Sequence, residues 1–214
     1  MIKLSKIYKS FDQRIVLSNM SLSIDKNEFV CITGESGAGK TTLLNIIGLL
    51  DKPDSGRLSI NGKTNFSKRD ILRLRRTFFG YIFQDYLLMA DKTVKENIDI
   101  SKKLLKYENK KLERKDTDEI MKKVGLNHSY LNKKICQLSG GEQQRVAIAR
   151  MLLKPYELVL ADEPTGNLDR KNKNEVIEIF KDIKKDGKTI ICVTHDKEVA
   201  DSADKVINLS RSSF

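Results

Sequence analysis

The sequence predicts an α/β fold with an antiparallel β part at the N-terminus and a helical subdomain inserted into the α/β core. Three observations carry this expectation. Short apolar runs of strand length alternate with helical stretches. A glycine-rich turn, Gly34 to Gly39, separates an apolar strand from a helix. From about Asp85 to Gln137 strand-formers thin out, and charged, Lys/Glu-rich segments with helical spacing take over.

Taken in order, the chain up to about Ile24 reads as extended, from Ile2-Lys-Leu and Ile15-Val-Leu. Phe29 to Thr33 is a strand that feeds the glycine-rich turn, and a helix runs from Lys40 to about Leu49. Asp51-Lys-Pro-Asp-Ser-Gly56 is a turn cluster, and Asn61-Gly62 after Arg57-Leu-Ser-Ile60 is a hairpin signal. Thr93-Val-Lys-Glu96 has the spacing of a capping box that opens a helix. Lys110 to Val124 reads as helical. After Gly141 the α/β alternation returns. A helix reaches about Leu153, followed by a strand Leu158 to Ala161, a helix Asn172 to Lys185, a strand Thr189 to Val193, and Val206 to Leu209. The expected organisation is one domain, 1–214, with the helical subdomain at about 85–150.

Composition fits this reading. With 214 residues, 39% hydrophobic and 32% charged, the chain can bury a real core, and disorder would require fewer apolar residues. Met1 to Tyr8 lacks the apolar run of a signal peptide. The longest apolar-looking stretch, Leu43 to Leu50, is interrupted by Asn45 and Gly48 and falls far short of the ~20 residues that cross a bilayer. Cys31 and Cys192 lie in apolar runs and read as buried thiols. With Cys136 the count is odd and no metal-type pairing occurs, which points to a reducing cytoplasm. The net charge of +11 is uneven: Lys102 to Lys134 holds eleven Lys/Arg against five Asp/Glu, and Lys63 to Arg76 six against Asp70 alone. Such excess suits nucleic acid, an anionic membrane surface or an acidic partner, and a generic solvated surface reads equally well.

Gly34-Glu35-Ser36-Gly37-Ala38-Gly39-Lys40-Thr41 matches Gly-x4-Gly-Lys-Ser/Thr, a phosphate loop. Glycines let successive backbone N–H groups turn toward one anion, and the following helix adds its positive end. Lys40 supplies a compact cation to the β- and γ-phosphates, and the Thr41 hydroxyl can ligand Mg²⁺. Leu158-Val-Leu-Ala-Asp162-Glu163 is an apolar strand whose end places carboxylates in the crevice where open α/β sheets bind ligands. Asp162 is placed to hold the Mg²⁺ coordination sphere and Glu163 to polarise an attacking water. By itself such a strand end also serves as a turn; beside a phosphate loop it gains meaning.

Leu138-Ser139-Gly140-Gly141-Glu142-Gln143 admits a local reading: Ser139 as N-cap and Glu142 as the third helical residue start a helix well. The two glycines also expose N–H groups at a positive helix end, a second anion site. Together with the phosphate loop, Gln84 in Ile82-Phe-Gln-Asp, the Asp162-Glu163 pair, Asn167-Leu-Asp169 and His195 in Val193-Thr-His-Asp, this segment resembles the ABC ATPases, a family of P-loop NTPases. The resemblance covers the whole chain, because these motifs stand in the family's order and spacing. It implies an ATPase that works as an ATP-dependent homodimer: two copies enclose two ATP molecules, each between one copy's phosphate loop and the other's Ser139 helix.

By motif position, the resemblance gives catalytic roles to Lys40, Gln84, Glu163, Asp169 and His195. Gln84 reaches Mg²⁺ and the attacking water, His195 contacts the γ-phosphate, and Asp169 organises the interface between sites. Nucleotide contacts fall to Gly34, Glu35, Ser36, Gly37, Ala38, Gly39, Lys40, Thr41, Thr42, Gln84, Ser139, Gly140, Gly141, Glu142 and Asp162. Thr41, Gln84 and Asp162 serve Mg²⁺. Tyr8 matches the position that stacks on adenine, and also reads as a core or edge tyrosine. Many family members carry Gln where this chain has Glu142; the capping-box bond to the Ser139 amide is expected to turn that carboxylate from the γ-phosphate. Within the family the chain looks most like the compact MacB/LolD/FtsE group, on Leu44 to Pro53, Arg75-Arg76 before Phe79 to Gln84, and Asp162 to Asp169. That implies a separate integral membrane permease, a place on the cytoplasmic face of the membrane, and export of a peptide, antibiotic or lipoprotein, with bacteriocin-type systems among the similar ones. The competing class, a non-transport ABC ATPase acting on DNA or ribosomes, gains from the net charge. It loses because Gln84 and Ser139 are only 55 positions apart (139 − 84) with no coiled coil or Cys pairs between, so no nucleic acid is expected.

Overall fold

The computed structural model describes residues 1–106 and 116–209. Strand β1 (Ile2–Phe11) pairs antiparallel with β2 (Arg14–Ile24) on one side and β4 (Ser55–Ile60) on the other, in the order β2-β1-β4. Period-two alternation buries Ile2 and Leu4 and leaves Lys3 exposed. A register shift between Leu4 and Ile7, with Lys6 at φ 50°, resets the alternation so that Ile7 turns inward and Tyr8 outward.

The second sheet is parallel throughout. Its strands are β3 (Phe29–Thr33), β5 (Phe79–Ile82), β6 (Leu158–Asp162), β7 (Thr189–Val193) and β8 (Lys205–Asn208), in the order β5-β6-β7-β3-β8. Continuous apolar runs in β3, β6 and β7 are buried on both faces, as helices on each side require. Phe29 and Cys31 face one apolar cluster, and Val30 and Ile32 face another that reaches Ile2, Leu4 and Ile7. Helices α1 (Lys40–Ile47), α5 (Gly140–Leu152) and α6 (Arg170–Lys185) supply much of the rest of these clusters. Between β5 and α5 run α3 (Val94–Lys106), α4 (Thr117–Lys123) and 3-10 turns at His128–Asn132 and Ile135–Gln137. Thr93 and Glu96 close the expected capping box, with Glu96 N–H donating to Thr93 Oγ1 and Thr93 N–H to Glu96 Oε2.

Several elements differ from expectation. Asn61 and Gly62 do turn, at φ 49° and 83°, but the return leg is one bridge, Ile60 to Lys63, and the strand partner of β4 is β1. A helix not anticipated, α2 (Lys68–Thr77), follows, with a complete capping box from Ser67 and Asp70. Helix α6 starts two residues before Asn172, because Asp169 is its N-cap. The short α7 (Lys197–Asp201) was also unforeseen. Residues 110–115 of the helical stretch expected from Lys110 lie outside the described residues. Cys31 and Cys192 are buried neighbours in register across β3 and β7, and Cys136 is exposed. Among the described residues no helix is long and apolar enough to cross a membrane.

Candidate active site

Strands β3, β5, β6 and β7 run parallel, so the segments after Thr33, Ile82, Asp162 and Val193 all leave one edge of the sheet. Gly34 leaves β3 at φ 145°, and a Cβ there would run into the Leu209 carbonyl, so only glycine fits. Gly37 and Gly39 stand at φ 76° and 90°, and Gly39 caps α1 without any side-chain hydrogen bond to the helix start. The α1 terminus therefore keeps N–H groups for an incoming anion. Lys40 folds back across the loop and donates to the carbonyls of Gly34 at 2.8 Å and Glu35 at 2.9 Å. Glu35, Ser36 and Gly37 are exposed, Ala38 is buried, and Thr42 lies half-buried in the first turn of α1.

Thr41 Oγ1 donates to Asp162 Oδ1 at 3.1 Å, joining the loop to the end of β6. Burial pushes the Asp162 carboxyl above the usual aspartate range and the Glu163 charge adds to this, while Thr41 and Lys40 pull it down. A hydroxyl and a carboxylate are hard oxygen donors, and no cluster of three His, Cys, Asp or Glu side chains surrounds them among the described residues. That donor set fits Mg²⁺, which takes one or two protein oxygens and completes its shell with phosphate and water.

Glu163 adopts φ 44°, a left-handed conformation held by its N–H bond to the Val193 carbonyl at 2.9 Å. Its Oε2 accepts from the His195 backbone N–H at 3.3 Å and lies 2.9 Å from His195 Nδ1. The Glu163 side chain is 14% exposed and that of His195 70% exposed. Gln144, fully buried on α5, donates to the Pro164 carbonyl at 2.8 Å and pins the segment that follows Glu163. Gln84 is exposed two residues past β5, on the strand next to β6, so it stands beside the Asp162 end by topology. Asp169 accepts from the Asn172 N–H at 2.9 Å and from its Nδ2 at 2.6 Å, which caps α6. Tyr8 is 39% exposed on the outer side of β1.

Ser139 caps α5 as expected: its Oγ accepts from Glu142 N–H at 3.4 Å while Glu142 Oε2 accepts from Ser139 N–H at 2.8 Å. Gly140 is exposed and Gly141 buried; a Cβ on Gly141 would overlap the Asn172 side chain, which is why glycine stands there. The surroundings of this helix end come from Tyr86, Asn167 and Asn172, whereas Gly34 and Gly39 lie against Leu209, Val16 and Leu17. One chain thus carries two separate helix termini suited to phosphate. Sequence reasoning did not single out Gln144, Asn172, Tyr86, or Tyr130, whose hydroxyl donates to Glu142 Oε1 at 2.6 Å. None of them stands in a short motif of its own.

Comparison with known proteins agrees with this geometry. The family model described as "ABC transporter" matches residues 17–166. Macrolide export ATP-binding/permease protein MacB of Mannheimia succiniciproducens is 46% identical over 91% of this chain. That of Campylobacter jejuni serotype O:23/36 is 44% identical over 98%. The chain spans only 30% and 33% of the length of these relatives. The solved dimeric structure of MJ0796, a bacterial ABC transporter cassette, superposes with a TM-score of 0.87 at 37% identity, covering 99% of this chain and 95% of that one. A post-hydrolysis dimer of MJ0796 bound to ADP and Pi gives 0.85 at 35% identity, covering 100% and 97%. With a phosphate loop, paired carboxylates and a capped diglycine helix on one such fold, the chain belongs to the ABC transporter family and is an ATP-binding ATPase domain of it.

Proposed function

We propose that this domain, 1–214 with its helical part at about 85–150, hydrolyses ATP as a homodimer and drives a separate membrane permease. The observation that carries the proposal is the presence in one chain of two glycine-bearing helix N-termini with different neighbours, at Gly39 and at Ser139. One triphosphate tail needs both only if two copies meet head to tail, as the dimeric arrangement of the MJ0796 neighbours supports.

In this reading ATP lies along the Gly34–Gly39 loop, with Tyr8 against adenine and Thr42 beside Thr41. Lys40 leaves the carbonyls of Gly34 and Glu35 for the β- and γ-phosphates. Thr41 and Asp162, joined already, hold Mg²⁺ with Gln84 nearby. When bound, Mg²⁺ neutralises charge on the phosphate oxygens. Glu163 orients and polarises the attacking water, while His195, already against the Glu163 carboxylate, holds that geometry and meets the γ-phosphate. Ser139, Gly140 and Gly141 of the other copy supply the second positive terminus. The loose transition state spreads charge over equatorial oxygens, so positioning and electrostatics do most of the catalysis. Asp169, at the start of α6, lies where the copies meet. The relatives' name, macrolide export ATP-binding/permease protein, supports a permease partner; a place at the cytoplasmic face of a membrane belongs to the same proposal.

Glu163→Gln retains the site but loses the water-activating carboxylate, so it accumulates the closed state. Light scattering is expected to show dimer with ATP and Mg²⁺ and monomer with ADP. A chain that stays monomeric at saturating ATP refutes the two-copy mechanism.

A further inference from the structure

Glu142 stands in the first turn of α5, at the terminus assigned above to the other copy's γ-phosphate. A phosphate there gains from the helix end, and a carboxylate in the same turn opposes it. The side chain is held elsewhere. Its Oε2 accepts from Ser139 N–H at 2.8 Å and Ser139 Oγ at 3.0 Å, and its Oε1 accepts from Tyr130 Oη at 2.6 Å. The same contacts lower the Glu142 carboxyl, the Tyr130 hydrogen bond most, and the bond to Glu142 raises the Tyr130 phenol.

Tyr130 is itself fixed. It sits in the 3-10 turn His128–Asn132, packs on the apolar cluster beneath α5, and has the Lys133 ammonium 4.0 Å from its ring centre. Ser139 is in a different position, because a serine hydroxyl donates one proton at a time. Once that proton turns to a phosphate oxygen, Glu142 Oε2 keeps only the Ser139 amide. Among the described residues, the tyrosine hydroxyl is then the remaining side-chain donor on this carboxylate.

We propose that Tyr130 is a positioning residue for ATP-driven closure: its hydroxyl holds the Glu142 carboxylate off the incoming phosphate while the Ser139 hydroxyl is redirected to it. This rests on the two-copy reading under "Proposed function". It makes the value of the Tyr130 hydroxyl conditional on charge at position 142. A neutral side chain there needs no restraint, whereas a fold-supporting tyrosine would be needed either way.

The test is a double-mutant cycle in the Glu163→Gln chain, with the dimerisation constant measured by sedimentation velocity in ATP and Mg²⁺. Tyr130→Phe is expected to weaken ATP-driven dimerisation about tenfold, the scale of one hydrogen bond to a charged group. In a Glu142→Gln background the same change is expected to shift it by less than about twofold. No weakening by Tyr130→Phe overturns the proposal. Equal weakening in both backgrounds also overturns it, because it marks the hydroxyl as support for the turn. A Glu163→Gln parent that never dimerises overturns the two-copy reading, and the proposal falls with it; that outcome is visible before Tyr130 is touched.

Discussion

Asp162 is held under conditions that disfavour its charge, since burial and the adjacent Glu163 raise its carboxyl above the ordinary value of 3.8. Just above that value the folded chain binds more protons than the unfolded one, so stability falls as pH rises through the window up to the raised folded-state value. At neutral pH the ionised carboxylate is therefore a net cost, which bound Mg²⁺ would reverse. Asp162→Asn keeps an oxygen for the Thr41 hydroxyl and removes the charge. It is expected to raise Tm by a few degrees near pH 7 without nucleotide, with the gain vanishing below about pH 4. Mg²⁺-dependent stabilisation by ATP should be lost in the same protein. Thermal melts at the two pH values, with and without Mg·ATP, check both parts. Asp162 could be read from sequence because an apolar strand and a neighbouring phosphate loop announce it. The hold on Glu142 could be read only by half: Ser139 is three residues away and shows as a capping box, but Tyr130 is twelve residues upstream and meets it across two turns.

At the scale of elements, the legible pieces are those with local causes. Apolar runs mark β3, β6 and β7, and capping boxes mark the starts of α3 and α5. Helix α2 shows weakly in the sequence because its apolar stripe is short: Ile71, Leu72 and Leu74 stand among six charged residues, and none of its side chains is fully buried. Contacts between elements were not legible either, and Arg150 shows why they matter. From the end of α5 its guanidinium donates to the carbonyls of Leu87 at 2.6 Å and Tyr86 at 2.9 Å, both residues standing at positive φ. The segment that carries Gln84 is thus tied to the same helix whose other end presents Ser139. Arg150→Ala removes both bonds and the packing of its stem, and is expected to cost about 2 kcal/mol in global stability by urea denaturation. Hydrogen exchange should rise most in residues 84–90. Exchange that rises evenly over the chain would mean that the arginine is only general packing.

On the scale of the whole molecule, the two helix termini that the two-copy reading assigns to phosphate stand against different neighbours, the Gly39 end beside β2 and the Ser139 end beside the α6 cap. A single copy cannot bring them onto one phosphate by side-chain motion, so each catalytic site is expected to be assembled from two chains. This has a consequence that no monomer mechanism shares. Lys40→Ala spoils the phosphate loop and leaves the Ser139 terminus intact. Ser139→Asp does the reverse, since aspartate caps a helix as well as serine but sets a negative charge against the phosphate. Each variant alone should hydrolyse ATP poorly. Mixed in equal amounts, half of the dimers pair one of each, and every such dimer has one of its two sites built from undamaged parts. Activity should return to about one quarter of the unmodified protein's, as random pairing in a symmetric dimer dictates. A phosphate-release assay over a range of mixing ratios should peak at equal proportions. A mixture no more active than its components would mean that the two termini never serve one nucleotide.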